Sequence, residues 1–301
     1  MVSNSTQHLP IIKVNADKSV VTIDVLALEE PLEIRLEHGD KDQRRVQNVS
    51  VTMRTPGHDA ELATGFLFTE GIVKSLDDIE KASHCFIACA ENKENVIQVS
   101  LTPGAVPNLQ NAERNFYTTS SCGVCGKGSI NAIRTVGSFD TQTTDNDTIN
   151  AGVLYQMPDT LRRHQRVFDD TGGLHASALF SMKGELLLLR EDVGRHNALD
   201  KLIGAALNYN WLPLQQTVLL LSGRASFELI QKAVMAGINI IAAIGAPSSL
   251  AVQLAQEFNI TLIGFLRNDH FNIYTAAHRV LMANYEAAGG ENTIVNENIQ
   301  H

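Results

Sequence analysis

Cysteine is scarce in this sequence, with four in 301 residues. That is too few for a disulfide framework in a chain of this length, so a small secreted scaffold held by disulfides is excluded. A reducing cytoplasm, where thiols stay open to chemistry, is the expected compartment. Long apolar runs are also missing. None reaches the roughly 20 residues needed to cross a bilayer. Met1 to Pro10 is polar and has no apolar h-region, so neither a signal peptide nor a membrane partner is expected. Basic residues are in deficit: 24 Lys and Arg stand against 33 Asp and Glu, a formal net charge of −9. General nucleic-acid binding draws on clustered Lys and Arg and is not expected here. A local basic pocket for one phosphate-bearing ligand remains compatible with this balance.

The hydrophobic share of 44% is that of an ordinary globular protein, and the length allows one large or two medium domains. Residues 1–18 read as a mobile tail. Val20 to Leu28, Leu32 to Leu36 and Val49 to Met53 are short β-branched-rich runs that predict strands. Thr55-Pro56-Gly57 is a turn. Asp59 opens a helix whose apolar face is Ala60, Leu62, Ala63, Phe66 and Leu67, with Gly65 marking a close approach. Ile87 and Val96 to Leu101 continue the β character. Residues 104–121 are polar and weakly patterned, residues 129–135 predict a short helix, and residues 139–150 predict a linker.

The second half alternates more regularly. Ala176 to Met182 and Glu185 to Leu189 predict strands joined at Lys183-Gly184. A loop from Arg190 to Gly194 leads to a helix from about Asn197 to Leu207. Strands are predicted at Val218 to Leu221, Asn239 to Ile244 and Thr261 to Phe265, with helices through Ala236 and over Leu250 to Phe258 between them. This rhythm implies an α/β chain with a mainly parallel sheet covered by helices. The expected division is a small α+β domain over 19–115, a cysteine loop and linker over 116–150, and an α/β ligand-binding domain over 151–290.

In such sheets ligands bind beyond the carboxyl ends of the strands. Three segments fall there: Ser222 to Ser226, Gly245 to Ser249, and Phe265 to Asn268. Two of them are Gly/Ser-rich turns that open helices, where free backbone N–H groups and the helix dipole favour anions. Arg224 and Arg267 add bidentate donors suited to phosphate. One such turn is only the N-cap chemistry of any strand-to-helix loop. Two turns and two arginines at one sheet edge favour a phosphate site.

Ser120-Ser121-Cys122-Gly123-Val124-Cys125-Gly126-Lys127-Gly128 is the most informative stretch. Its glycines permit an exposed backbone, and Lys127 favours the thiolate of a neighbouring cysteine. A thiolate there can attack a sulfane sulfur and become a persulfide, with the second thiol to resolve, shield or relay it. Three alternatives stand open on pattern alone. A thioredoxin-like redox pair requires a preceding strand and a helix starting at the pair. A four-thiolate zinc site would need Cys85 and Cys89 to join Cys122 and Cys125. An unreactive loop is the third.

Longer motifs narrow the choice. Thr55 to Leu67, Ser121 to Gly126, Thr171 to Ala176, Glu191 to Lys201, Ser222 to Glu228, Pro247 to Val252 and Gly264 to Arg267 occur in order over most of the chain. With them the chain resembles the FdhD family of formate dehydrogenase accessory sulfurtransferases. The resemblance implies that sulfur is taken from a cysteine desulfurase as a persulfide. It is then passed to the bis-molybdopterin guanine dinucleotide form of the molybdenum cofactor before that cofactor enters formate dehydrogenase. Carried over by motif, Cys122 is the persulfide carrier and Cys125 its support. Phe265, Leu266, Arg267, Asn268, Asp269 and His270 match the family's cofactor-binding segment, and GDP would mimic one end of the ligand. Ser222, Gly223, Arg224, Ser248 and His175 complete the expected binding set.

The resemblance also implies a three-layer second domain similar in fold to cytidine deaminases. A zinc deaminase needs His-x-Glu and a later Pro-Cys-x-x-Cys. Here His175 is followed by Ala176-Ser177, and no cysteine follows Cys125, so no metal site and no catalytic zinc are expected. His175 either lines the ligand cavity or is a hydrogen-bonded core histidine. Asp192, Arg195, His196 and Lys201 form a charged cluster whose common outcome is an internal ion-pair network. Cys85 and Cys89 lie outside the family motifs and read as structural. The expected assembly is a homodimer.

Overall fold

The computed structural model describes residues 5–85, 94–109 and 147–282. Cys89, Cys122, Cys125, Lys127, Ile87, the helix expected at 129–135 and most of the expected linker lie outside these residues. No helix among the described residues is long and apolar enough to cross a membrane.

The chain begins with β1 (Thr6–Asn15) and β2 (Lys18–Ala27), an antiparallel ribbon with almost all of its residues exposed. The mobile tail expected over 1–18 is therefore corrected: ten of those residues form a strand. Pro10 masks it, because proline lacks an N–H and is tolerated only at unpaired or edge positions. β1 is such an edge.

β3 (Glu30–His38), β4 (Arg45–Arg54), β5 (Ile79–His84) and β6 (Val96–Leu101) form a second sheet in the order β4-β3-β6-β5. Its inner face carries Leu32, Ile34, Leu36, Ile97 and Val99, all fully buried. They pack on α1 (Asp59–Thr69) through Leu62, Ala63, Leu67 and Phe68. Asp59 in the first turn of α1 accepts two hydrogen bonds from the buried guanidinium of Arg54, at 3.1 and 3.0 Å, which fixes where the helix starts.

The second half supplies β7 (Ile149–Asn150), three short helices α2 (Ala151–Leu154), α3 (Met157–His164) and α4 (Arg166–Thr171), then β8 (His175–Ser181) and β9 (Leu186–Asp192). α5 (Arg195–Asn208), β10 (Thr217–Leu221), α6 (Phe227–Met235), β11 (Ile240–Ala243), α7 (Ser249–Glu257), β12 (Thr261–Gly264), β13 (Asn272–Thr275) and β14 (Val280–Leu281) complete it. The six-stranded sheet runs β13-β12-β11-β10-β8-β9. Side chains alternate across it, as the period of two requires. Leu179, Leu219, Ile241 and Leu262 face α5, α6 and α7. Ala178, Phe180, Leu220, Ala242 and Ile263 face the other way, onto Leu154, Met157 and Leu161 of α2 and α3.

This sheet is mixed, not mainly parallel as expected. Only the β10–β11 and β11–β12 junctions are parallel, while β8–β9, β8–β10 and β12–β13 are antiparallel. The reason lies in the connections. Parallel neighbours need a crossover of a dozen or more residues. The Lys183-Gly184 hairpin and the short 265–271 segment are too brief for that.

The two sheets share one core. α1 lies against α5, and residues of both sheets belong to one continuous buried cluster. The approach is closest at Gly65 and Gly204. A Cβ on Gly65 would overlap the carbonyl oxygen of Asp200, and one on Gly204 that of Glu61. A second tie is Arg190, which donates to both carboxylate oxygens of Glu61 at 2.5 and 2.8 Å. Burial opposes ionisation of Glu61, but Arg190 and His58 outweigh it and hold that carboxyl at about 2. Gly65→Ala should cost about 1–3 kcal/mol by forcing α1 from α5. Urea denaturation would measure it, and an unchanged midpoint would show that the helices are free to separate.

Candidate functional site

Strand direction gathers the site. β10, β11 and β12 are parallel, so Leu221, Ala243 and Gly264 end at one edge of the sheet. β8 runs the other way and starts at that edge, where His175 pairs with Asp192, the last residue of β9. The chain then opens α5, α6 and α7 there in turn. Three helix N-termini thus point their unpaired backbone N–H groups at one region, which favours anions.

The turns at this edge are fastened to one another through the backbone. Gly245 N–H donates to Gly223 O at 2.9 Å, Phe265 N–H to Gly245 O at 3.2 Å, and Ser248 N–H to Ala225 O at 3.0 Å. A Cβ at Gly245 would lie 2.9 Å from both Arg224 N and Gly223 O, so only glycine allows this spacing. The three segments singled out in the sequence therefore form one ledge.

A cavity of about 590 Å³ opens above the ledge, walled by Leu161, Arg162, Gln165, Phe168, His175 and Ser222, among others. A neighbouring cavity of about 600 Å³ shares Asp159 and Arg162 with it and adds Tyr155, Arg163 and Asn268. Asn268 donates to Asp159 at 2.8 Å, which ties the ledge to α3. Arg162 stacks over the Phe168 ring at 4.4 Å and pairs with Asp169 at 3.0 Å.

The expected binding residues are distributed as follows. His175 and Ser222 are walls of the first cavity, and Asn268 is a wall of the second. Ser222 Oγ accepts from Ala176 N–H at 2.8 Å, which leaves its own proton to donate. His175 lies against Gly223, where a Cβ would come within 3.2 Å of Nδ1. Burial, then the charges of Arg195 and His196, push the His175 pKa down, with Asp192 opposing. The imidazole is accordingly neutral near pH 7.

Arg267 is exposed and anchored by its Nη1, which donates to the carbonyls of Ile244 at 2.7 Å and Leu266 at 2.8 Å. It has no acidic partner among the described residues, because Asp269 pairs with His270 instead, at 2.6 Å. The guanidinium is thus held in place with its charge uncompensated. Arg224 is exposed and makes no side-chain bond among the described residues. Phe265 is exposed at a positive φ of 54°. Leu266, by contrast, is fully buried in the core, and its backbone N–H donates to Ala243 O. Ser248 caps α7, accepting from Ala251 N–H at 3.2 Å.

The charged cluster divides in two. Asp192 and Lys201 form a buried pair at 2.7 Å, the internal network expected. Arg195 and His196 stay at the site. His196 lies 3.7 Å from Glu228, and this contact above all holds the Glu228 carboxyl down at about 2. Arg195 Nε is buried with no partner among the described residues. Cys85 is half-buried, and its thiol donates to Gln98 Oε1 at 3.4 Å.

The sequence did not disclose Gln165. It is 5% exposed, it lines the first cavity, and its Nε2 has no hydrogen-bond partner among the described residues. A buried amide without a partner is costly unless a ligand satisfies it. Phe168 is set by Glu191, whose carboxylate accepts from Val167 N–H at 3.3 Å and Phe168 N–H at 3.0 Å.

The chain is similar to known proteins over most of its length. The model of the FdhD/NarQ family matches residues 27–281. A sulfur carrier protein FdhD from Mycolicibacterium paratuberculosis is 51% identical over 278 residues, 91% of this chain and 98% of that one. The protein of that name from Streptomyces avermitilis is 48% identical over 94% of this chain and 99% of its own. The one from Sulfolobus acidocaldarius is 42% identical over 85% and 91%. A crystal structure described as a formate dehydrogenase accessory protein from Desulfotalea psychrophila superposes with a TM-score of 0.66. It covers 92% of this chain and 99% of its own at 20% identity, a likeness of fold.

Proposed function

The chain belongs to the FdhD/NarQ family, and from that premise we propose that it is a sulfur carrier serving formate dehydrogenase. It acts as a sulfurtransferase through a persulfide on Cys122. The Cys122 thiolate attacks the outer sulfur of a cysteine desulfurase persulfide. The bond between that sulfur and the donor cysteine breaks as the new S–S bond forms, and the donor leaves as a thiolate, so no external electrons are needed. Cys125 supports the carrier. The substrate that receives the sulfur is the bis-molybdopterin guanine dinucleotide molybdenum cofactor, taken at the strand-end ledge. The work is cytoplasmic, and its partners are the desulfurase and a formate dehydrogenase. We extend the proposal to a deaminase-like three-layer fold for the second half.

One observation carries the substrate assignment. Two cavities of similar size adjoin across Asp159 and Arg162; the ledge beside them offers three helix N-termini and Arg267, and the first cavity the Gln165 amide, which has no partner among the described residues. A ligand with two nucleotide ends and two pyrophosphates has the shape and charge for such a pair. Incubation with desulfurase and cysteine, followed by mass spectrometry, tests the carrier step. Sulfur found on Cys122 supports it, and an unmodified Cys122 beside an active desulfurase overturns it.

Arg267→Ala tests the ledge. Losing a charge-assisted phosphate contact costs about 1.5–3 kcal/mol, roughly ten- to hundredfold in GDP affinity. The side chain is exposed and, among the described residues, bonded only to two carbonyls, so the melting temperature should hardly move. Sulfur loading at Cys122 should persist. A folded variant that binds GDP like the wild type in calorimetry would remove the phosphate site from this strand end.

A further inference from the structure

A carboxylate stands where an anion site would be expected to hold only cations. Asp159 is exposed and is a wall of both cavities, as Arg162 is. Two arginines lie within its reach by helical spacing, three and four residues on. Neither guanidinium pairs with its carboxylate. Arg162 goes to Asp169 at 3.0 Å. Arg163 donates to Thr160 Oγ1 at 3.2 Å and to the Asp159 backbone carbonyl at 3.3 Å. Among the described residues the Asp159 carboxylate has no ion-pair partner and accepts one hydrogen bond, from Asn268 Nδ2 to Oδ2 at 2.8 Å. That bond fixes the carboxylate and leaves Oδ1 open.

Such a charge repels phosphate. It therefore suits a part of the ligand that is rich in donors. The first cavity narrows the chemistry further. Leu161, Phe168, Leu174 and Ile244 give it apolar flanks, which suit a flat ring. Gln165, on the same cavity, is 5% exposed and its Nε2 has no partner among the described residues. A carboxylate only accepts, and an amide N–H donates. Together they complement a ring edge with two donors and one acceptor. A 2-amino-4-oxopyrimidine ring has that edge: its amino group and ring N–H suit Asp159, and its oxo group suits Gln165. Guanine and pterin share it. Adenine has a bare nitrogen in place of the ring N–H and an amino group in place of the oxo, so it meets both side chains with the wrong sign.

We propose, on the premise that the ledge takes a pyrophosphate-bearing ligand, that Asp159 is the specificity-determining residue of the first cavity. It accepts from the amino group and ring N–H of a 2-amino-4-oxopyrimidine, while Gln165 donates to the oxo group and Arg267 holds phosphate outside. The first turn of α3 also suits a carboxylate through the helix dipole. That role asks for charge alone and is indifferent to the base.

Calorimetry on the full chain separates the two roles. The wild type should bind IDP, which lacks the amino group, about tenfold more weakly than GDP, and ADP about 100-fold more weakly. Asp159→Asn should bring GDP and IDP within about twofold of each other. It should bind inorganic pyrophosphate at least as well as the wild type, because a negative charge has gone. An amide accepts once and donates once, so this variant should also gain at least about tenfold for xanthosine diphosphate, whose ring has an oxo in place of the amino group. Arg267→Ala should instead weaken GDP and pyrophosphate alike. Asp159 is exposed, and an unchanged melting temperature would confirm that its variant folds. 6-Hydroxymethylpterin, which has the same edge and no phosphate, separates the two sources of the ring. If it displaces GDP from the wild type, the slot is open to pterin; if it does not at millimolar concentration, the slot is for guanine. Equal affinity of the wild type for GDP and ADP overturns the proposal and leaves the phosphate ledge standing. So does an Asp159→Asn variant that keeps its preference for GDP over IDP, that loses pyrophosphate with GDP, or that gains nothing for xanthosine diphosphate. A wild type that binds neither GDP nor pyrophosphate overturns the ledge as well.

Discussion

Cys122→Ala will bind GDP as the wild type does and gain no sulfur from an active desulfurase. The two halves of that outcome have separate causes. Binding is the business of the ledge, which is assembled from Gln165, His175, Ser222 and the strand ends up to His270, and held by backbone bonds among Gly223, Ala225, Gly245 and Phe265. Loading needs a nucleophilic sulfur, and alanine has none, so the loss should be complete, not graded. Cys85 is a poor substitute acceptor, because it is half-buried and its thiol is bonded to Gln98. Cys125→Ala should still load, since it removes only the supporting thiol. Mass spectrometry of both variants, together with the activity of a co-expressed formate dehydrogenase, checks all of this. If Cys122→Ala still supports the dehydrogenase, the protein is a binding chaperone for the cofactor and not a sulfur carrier.

Much of the second half could be read in the sequence because its strands are continuous apolar runs. Val218 to Leu221 and Ile240 to Ala243 are buried on both faces, so no polar residue interrupts them. The turns after them bear glycine and serine where helices start, and the three candidate ligand segments did converge on one edge. α2, α3 and α4 escaped notice because they are four, eight and six residues long, too short for a helical period to show. With them went Gln165, Arg162 and Phe168, three walls of the first cavity. A glutamine signals a site only when its burial is known, and composition cannot supply that. β5 was missed because Ile79 to His84 is half polar and pairs only with β6. The mixed sheet was misjudged because a strand-helix-strand rhythm does not reveal how β8 and β13, reached without helical crossovers from their partners, will align.

Lys201→Met will cost about 3–5 kcal/mol of stability, the usual cost of leaving a buried ion without its partner. Lys201 and Asp192 are both fully buried, 2.7 Å apart. The ammonium also donates to Thr55 O at 2.8 Å. The carboxylate accepts from Thr55 N–H at 3.2 Å, Gly194 N–H at 2.8 Å and Asn197 Nδ2 at 3.2 Å. Asn197 in turn donates to Met53 O at 2.7 Å. Thr55 follows the end of β4, and Gly194 precedes α5. The pair therefore joins the four-stranded sheet to the helix whose N-terminus faces the ligand ledge. Methionine keeps the stem's packing but strands the Asp192 charge in the core. The melting temperature should fall by roughly 10 °C, and GDP binding should weaken below that temperature as the start of α5 loosens. Asp192→Leu should do as much harm, since it leaves the ammonium buried and three donors unpaired. Combining the two substitutions removes both charges at once, so the double variant should be more stable than either single one. Urea denaturation of the three proteins measures the coupling directly. Additive losses would mean that the two charges act apart, and that their pairing is not what joins the sheet to α5.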